Sequence, residues 1–133
     1  GFANWMYVQY QEEISHGMKM LRYIHDRGGS VKLQPIEGVP SEWKSPSEAF
    51  KSTLEHEKIV TGRINDLMHT ALEIKDYATI SFLNWYIDEQ VEEEATAEEI
   101  YLNLKDIENH PGALRQYDRE FISRTFVDET ITE

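Results

Sequence analysis

Cysteine is absent from this 133-residue chain, which excludes disulfides, thiolate zinc sites and thiol nucleophiles. Basic residues are scarce: 13 Lys and Arg stand against 25 Asp and Glu, a formal net charge of −12. A surface of that sign repels nucleic acid and anionic lipid, both of which reward clustered Lys and Arg, and it draws cations. No nucleic-acid or membrane partner is expected. No apolar run approaches the roughly 20 residues of a membrane span, and no basic-then-apolar leader is present. The cytoplasm is therefore the expected location. No segment alternates polar and apolar residues as a strand does. What remains is an all-α chain of a size suited to one domain over residues 1–133. Any metal it binds must sit on His, carboxylate or carbonyl, a donor set that suits iron rather than iron–sulfur clusters.

Periodicity places four helices. The first is predicted over about 1–27, where Phe2, Met6, Gln9, Glu13, His16, Met20 and Ile24 recur at steps of three and four and Gly28-Gly29 stops the pattern. The second spans about 46–74, with Ser45 as N-cap, Pro46 at the first helical position and Glu48 three residues after the serine. Its stripe is Phe50, Leu54, Glu57, Thr61, Ile64, Met68 and Ala71. The third spans about 76–105 and is apolar over a wide face. A short fourth covers about 113–126, after the break at Pro111-Gly112.

Connection lengths constrain the topology. Helices two and three are separated by a residue or two, so they must be antiparallel neighbours. Helices one and two are joined by residues 28–45, rich in Gly and Pro. A helix of about 27 residues is ~40 Å long. A loop of about 18 residues reaches up to ~60 Å. An ordinary surface loop between antiparallel helices fits that length, but a crossover joining two parallel helices accounts for it better, because long structureless loops are uncommon in compact domains. The wide apolar face of helix three also calls for another neighbour, either an upstream helix or a partner chain.

Acids inside apolar stripes carry the chemical signal. Glu13 and His16 fall in the stripe of helix one and Glu57 in that of helix two. Glu89 and Glu93 extend the line of Phe82 and Tyr86 towards Ile100 on helix three. An unpaired buried carboxylate is costly, so such groups are neutralised, paired or metal-bound. Lys58 and Arg63 lie off the helix-two stripe, which leaves a dication as the simplest partner. Glu13-x-x-His16 puts a carboxylate and an imidazole one turn apart on one side of a helix, within reach of one metal.

These segments resemble a known family. Gln11-Glu12-Glu13-Ile14-Ser15-His16 is similar to the Q-E-E-x-x-H segment of non-haem ferritins. His56-Glu57 with Ile64-Asn65-Asp66-Leu67 resembles their next helix. Phe82-Leu83-Asn84-Trp85-Tyr86 and Glu89-Gln90-Val91-Glu92-Glu93-Glu94 resemble the F-L-x-W-x-x-x-E-Q-x-E-E-E segment of the one after. Tyr117-Asp118-Arg119-Glu120-Phe121 resembles the opening of their short terminal helix. The resemblance implies a ferritin-like up-down four-helix bundle with a long crossover, three of its long helices and the short C-terminal one lying in this sequence. It implies that Glu13 bridges two irons, that His16 ligates the first, and that Glu57 and Glu93 hold the second with Gln90 close by. Glu12, Glu89 and Glu92 would form, with Glu93, an accessory third iron site. The implied activity is a ferroxidase: oxidation of Fe(II) to Fe(III) by dioxygen or peroxide, with storage as ferric mineral in a cage. Thr96 stands where a second E-x-x-H would place histidine, which points to the branch without haem.

The family's first helix has no counterpart here, so an upstream segment is expected. With it, a 24-subunit cage is the implied assembly. Two other readings stand beside this one: a metal-binding ferritin-like subunit that does not oxidise, and a helical interaction domain whose acids are surface residues. The stretch from Thr125 to Glu133 runs past the family's usual end, and its role is not legible in the sequence.

Overall fold

The computed structural model describes residues 1–131. Four helices follow in order: α1 (Phe2–Asp26), α2 (Pro46–Glu73), α3 (Tyr77–Ile107) and α4 (Pro111–Glu120). There is no strand among the described residues. The chain groups into two units: Glu42–Pro111 forms one, and Gly1–Ser41 with the chain from Gly112 onward forms the other.

In the unit holding α2 and α3, local chemistry sets the helix ends. Ser45 accepts a hydrogen bond from the Glu48 amide at 3.1 Å, and Pro46 fixes φ for the first turn. Glu48 turns back to accept from the Lys44 amide. α2 ends in a tight double bond: the Lys75 amide donates to the Leu72 carbonyl and the Asp76 amide to the Ala71 carbonyl. That motif demands a left-handed residue, and Lys75 supplies it at φ 59 without being glycine. Asp76 then caps α3 by accepting from the Thr79 amide at 3.2 Å.

The turn lays α3 back along α2. Ser47, at the start of α2, donates to Glu108 just past the end of α3 at 2.7 Å, as antiparallel neighbours allow. The helices bury Phe50, Leu54, Ile64 and Ala71 from α2, and Leu83, Tyr86, Ala97, Ile100 and Leu104 from α3. Each large apolar side chain so buried stabilises the fold by about 1.5–3 kcal/mol. The expected α2 stripe is the observed one, with Thr61 and Met68 half-buried at its edges.

In the other unit, α4 and the residues after it line α1. Asp118 accepts from the Phe2 amide at 2.7 Å, capping the start of α1 from a distance in sequence. The Phe2 ring meets Tyr117 at 6.1 Å and Phe121 at 5.8 Å between centroids. The Asn4 carboxamide donates to the carbonyls of Phe121 and Arg124, both at 2.9 Å. Those bonds take backbone acceptors that a continuing helix would use, and α4 stops at Glu120 rather than near residue 126. The tail continues beside α1: Arg124 reaches Trp5, Gln9 and Glu12, and Asp128 feels the charges of Arg22 and His16. Thr130 is buried, its amide donating to Asp128 at 3.0 Å. The stretch that the sequence left without a role, as far as residue 131, is thus a strap along α1. Residues 132 and 133 lie outside the described region.

The covered side of α1 differs in part from the expected stripe. Trp5, Val8, Gln9, Ser15 and His16 are buried, whereas Glu13 and Ile24 from the expected stripe are exposed. The covered face is rotated towards Trp5, whose ring carries Arg124, and away from the line of Met6 and Glu13.

Candidate metal centre

α2 and α3 place a carboxylate, an amide and a second carboxylate where apolar residues would be expected. Glu57 is 4% exposed, Gln90 6% and Glu93 8%. Gln90 and Glu93 fall at the same steps as Leu83, Tyr86, Ala97, Ile100 and Leu104, so the helical repeat alone turns them inward. The Gln90 amide nitrogen donates to a Glu57 carboxylate oxygen and to the Glu57 main-chain carbonyl, both at 3.2 Å. Thr61 Oγ1 lies 3.3 Å from the same nitrogen. These bonds hold the Glu57 carboxylate in one orientation. Gln90 and Thr61 also line a hollow of about 390 Å³, walled by Ile64, Ile87 and Val91.

On α1, Glu12, Glu13 and His16 occupy one turn. His16 is 9% exposed, while the Glu13 side chain is 46% exposed. His16 Nδ1 lies 3.7 Å from a Glu13 carboxylate oxygen, and the Gln9 amide donates to the other oxygen at 3.4 Å. The i, i+3 spacing thus brings imidazole and carboxylate together as their sequence interval requires. Glu13 is not the shielded carboxylate that the stripe implied.

Glu12 is held otherwise. Arg124 Nη2 donates to its carboxylate at 2.6 Å. Burial holds the Glu12 carboxyl above the ordinary carboxylate value, even with the charges of Arg124 and His16 acting to lower it. Arg124 is the residue that sequence reasoning missed. It stands 112 positions from Glu12 and belongs to no periodic stripe, so no local signal announces the pairing. The Gln9 side chain, in contrast, sat in the expected stripe and is buried as expected.

Each unit thus carries possible metal donors of its own: Glu13 with His16 on α1, and Glu57 with Glu93 between α2 and α3. Imidazole and carboxylate are a donor set of mixed hardness that fits ferrous iron. Glu89 is half-buried and Glu92 exposed. His56 is exposed. Every buried side-chain nitrogen or oxygen among the described residues has a hydrogen-bond partner.

A comparison with protein families matches residues 1–107 to the family described as Ferritin-like domain. The chain belongs to the ferritin family. Ferritins are iron-storage proteins, and the relatives of this one are of the non-haem kind. It is 43% identical over 129 residues to a bacterial non-heme ferritin of Staphylococcus aureus (strain MRSA252), covering 97% of this chain and 78% of the relative. It is 44% identical over the same length to a bacterial non-heme ferritin of Staphylococcus haemolyticus. Among solved structures, an engineered closed form of the Archaeoglobus fulgidus ferritin superposes with a TM-score of 0.91 at 49% identity, over 93% of this chain and 76% of that one. The open pore ferritin of the same archaeon gives 0.90 at 49% identity, over 92% and 75%. The fold of this ferritin is accordingly the all-helical, four-helix-bundle type that the sequence resemblance implied. None of its helices is long and apolar enough to cross a membrane among the described residues.

Proposed function

We propose that this ferritin is a ferroxidase that takes Fe(II) as substrate at a dinuclear site and passes it on as Fe(III) for storage. Glu13 bridges the two irons, His16 binds the first, and Glu57 and Glu93 bind the second. Gln90 orients Glu57 and faces the oxidant. Glu12, Glu89 and Glu92 join Glu93 in an accessory site for a third iron. The observation that carries this reading is the pair of carboxylates, Glu57 and Glu93, kept almost wholly from water within a helical core. Carboxylates carried on a buried helix face are oxygen donors of the kind that ferrous iron takes. The pairing of Glu13 with His16 on one turn of α1 supports the same reading.

The chemistry asked of the protein is limited. Two ferrous ions held side by side supply two electrons, the number that takes dioxygen to peroxide or peroxide to water. The side chains fix the ions, balance their charge and leave a position open to the oxidant. The hollow beside Gln90 and Thr61 offers room for a small molecule there. Self-association into a cage of 24 subunits gives the product an enclosed volume, and the cytoplasm is the compartment in which such a store acts. All residues work as one ferritin-like domain.

Anaerobic titration with Fe(II), followed by exposure to oxygen, tests this. The expected result is stoichiometric uptake at two ions per chain before saturation of weaker sites, then oxygen consumption with ferric absorbance. The exposure of Glu13 favours a second reading, binding without oxidation. Uptake with no ferric absorbance selects that alternative, and no stoichiometric uptake removes both.

A further inference from the structure

Arg124 has a seat built for it. Nη1 donates to the Trp5 main-chain carbonyl at 3.1 Å. Nη2 donates to Gln9 Oε1 at 3.1 Å and to Glu12 Oε2 at 2.6 Å. The guanidinium carbon stands 4.7 Å from the centroid of the Trp5 ring, a cation–π stack. Three acceptors and one ring from α1 thus converge on one side chain of the strap. Solvent-exposed salt bridges lack this arrangement; here the Glu12 and Arg124 side chains are only 20% and 26% exposed.

We infer that Arg124 is the resident counter-cation of Glu12, and that a metal ion gains Glu12 only by displacing the Arg124 guanidinium. The inference rests on the reading of Glu12 as an accessory iron ligand. A guanidinium and a dication repel when both approach one carboxylate. Arginine cannot relieve this by losing its proton, so it must move. Its other three contacts oppose the movement. Because Arg124 opens the strap that runs on to residue 131 beside α1, moving it loosens the strap. By linkage, strap docking and occupancy of Glu12 are antagonistic, and each weakens the other by the same factor. Arg124 therefore sets the order of filling: Glu12 joins a metal site last, when ferrous iron is plentiful. It is a positioning residue that acts through Glu12.

The test is an anaerobic Fe(II) binding titration of the full chain and of Arg124→Gln, Arg124→Lys, Glu12→Gln and the double variant Arg124→Gln/Glu12→Gln. Arg124→Gln is expected to tighten the weakest class of Fe(II) sites about fivefold or more and leave the tightest class unchanged. Arg124→Lys, which keeps the charge without the fork, falls between. In the Glu12→Gln background Arg124→Gln has no effect on Fe(II) affinity. On the unmodified protein, trypsin cleavage after Arg124 quickens only at the Fe(II) concentrations that fill the weakest class. Unchanged or weaker binding in Arg124→Gln, or the same gain with Glu12 already removed, overturns the inference while leaving Glu12 as a ligand. Full retention of Fe(II) stoichiometry in Glu12→Gln overturns the ligand reading itself, and this inference with it.

Discussion

Glu57 and Glu93 are acids in positions where the helical repeat calls for leucine. A side chain retained there for packing alone would be replaced by an apolar one with a gain in stability, since a buried charge is a poor stabiliser. Glu57→Met is therefore expected to raise the iron-free stability, by up to about 1–4 kcal/mol in urea denaturation. The same variant should lose most of the stabilisation that Fe(II) confers on the parent, which for a ligand at 100 times its Kd is about 2.7 kcal/mol. A variant that is less stable without iron, yet still gains fully from it, assigns Glu57 to the architecture rather than to the metal. Glu93→Ala tests the neighbouring ligand: the anaerobic Fe(II) stoichiometry should fall by one or more ions per chain. The acids of α2 and α3 were readable in the sequence because burial on one helix face obeys a repeat. The environment of Glu12 was not, because its partner Arg124 comes from the far end of the chain, where no repeat leads to it. The exposure of Glu13 is not legible in the repeat either, because periodicity alone fixes the covered face of a helix only to within about one residue.

Helix ends follow local rules, and here local rules were enough for most of them. Ser45 with Pro46 announced the start of α2, and Ser45→Ala is expected to cost about 1 kcal/mol in urea unfolding. The turn between α2 and α3 holds Lys75 at φ 59, a conformation that a side chain resists. Lys75→Gly should stabilise the protein by about 0.5–1 kcal/mol, a gain that loss of helix propensity does not offset because Lys75 lies outside both helices. A destabilised glycine variant contradicts the reading of this turn. The end of α4 was not legible, because Asn4 supplies the hydrogen bonds that stop it, from the opposite end of the sequence. Asp118 does the converse service for α1. The Phe2 amide that it accepts holds its carboxyl below the usual aspartate value. An acid lowered in the folded state contributes stability above its unfolded pKa and loses it as pH falls through the folded one. The parent should therefore lose stability on acidification below the ordinary aspartate range, and Asp118→Asn should flatten that part of the stability–pH profile. An unchanged acid limb in the asparagine variant removes Asp118 from the account of acid sensitivity.

At the scale of the molecule, the resemblance in motif order led directly to the family, and the fold followed from it. The family matches, the shared identity with bacterial non-heme ferritins and the superposition on archaeal ferritins all agree on it. Composition had narrowed the choice beforehand: without thiols, and with acids outnumbering bases almost two to one, the chain was suited to a hard or borderline cation held by oxygen and imidazole. What motif and composition could not supply was the strap, which gives the C-terminal residues a structural role and brings a permanent cation to an iron-ligand candidate. The whole account depends on iron occupying the helical core beside Glu57 and Glu93. Crystals grown and loaded with Fe(II) under anaerobic conditions, with anomalous scattering recorded at the iron edge, test this most directly. The account predicts two strong peaks about 3.5–4 Å apart, bonded to Glu13, His16, Glu57 and Glu93. Iron confined to the outer acids, with no peak at Glu57 or Glu93, contradicts it.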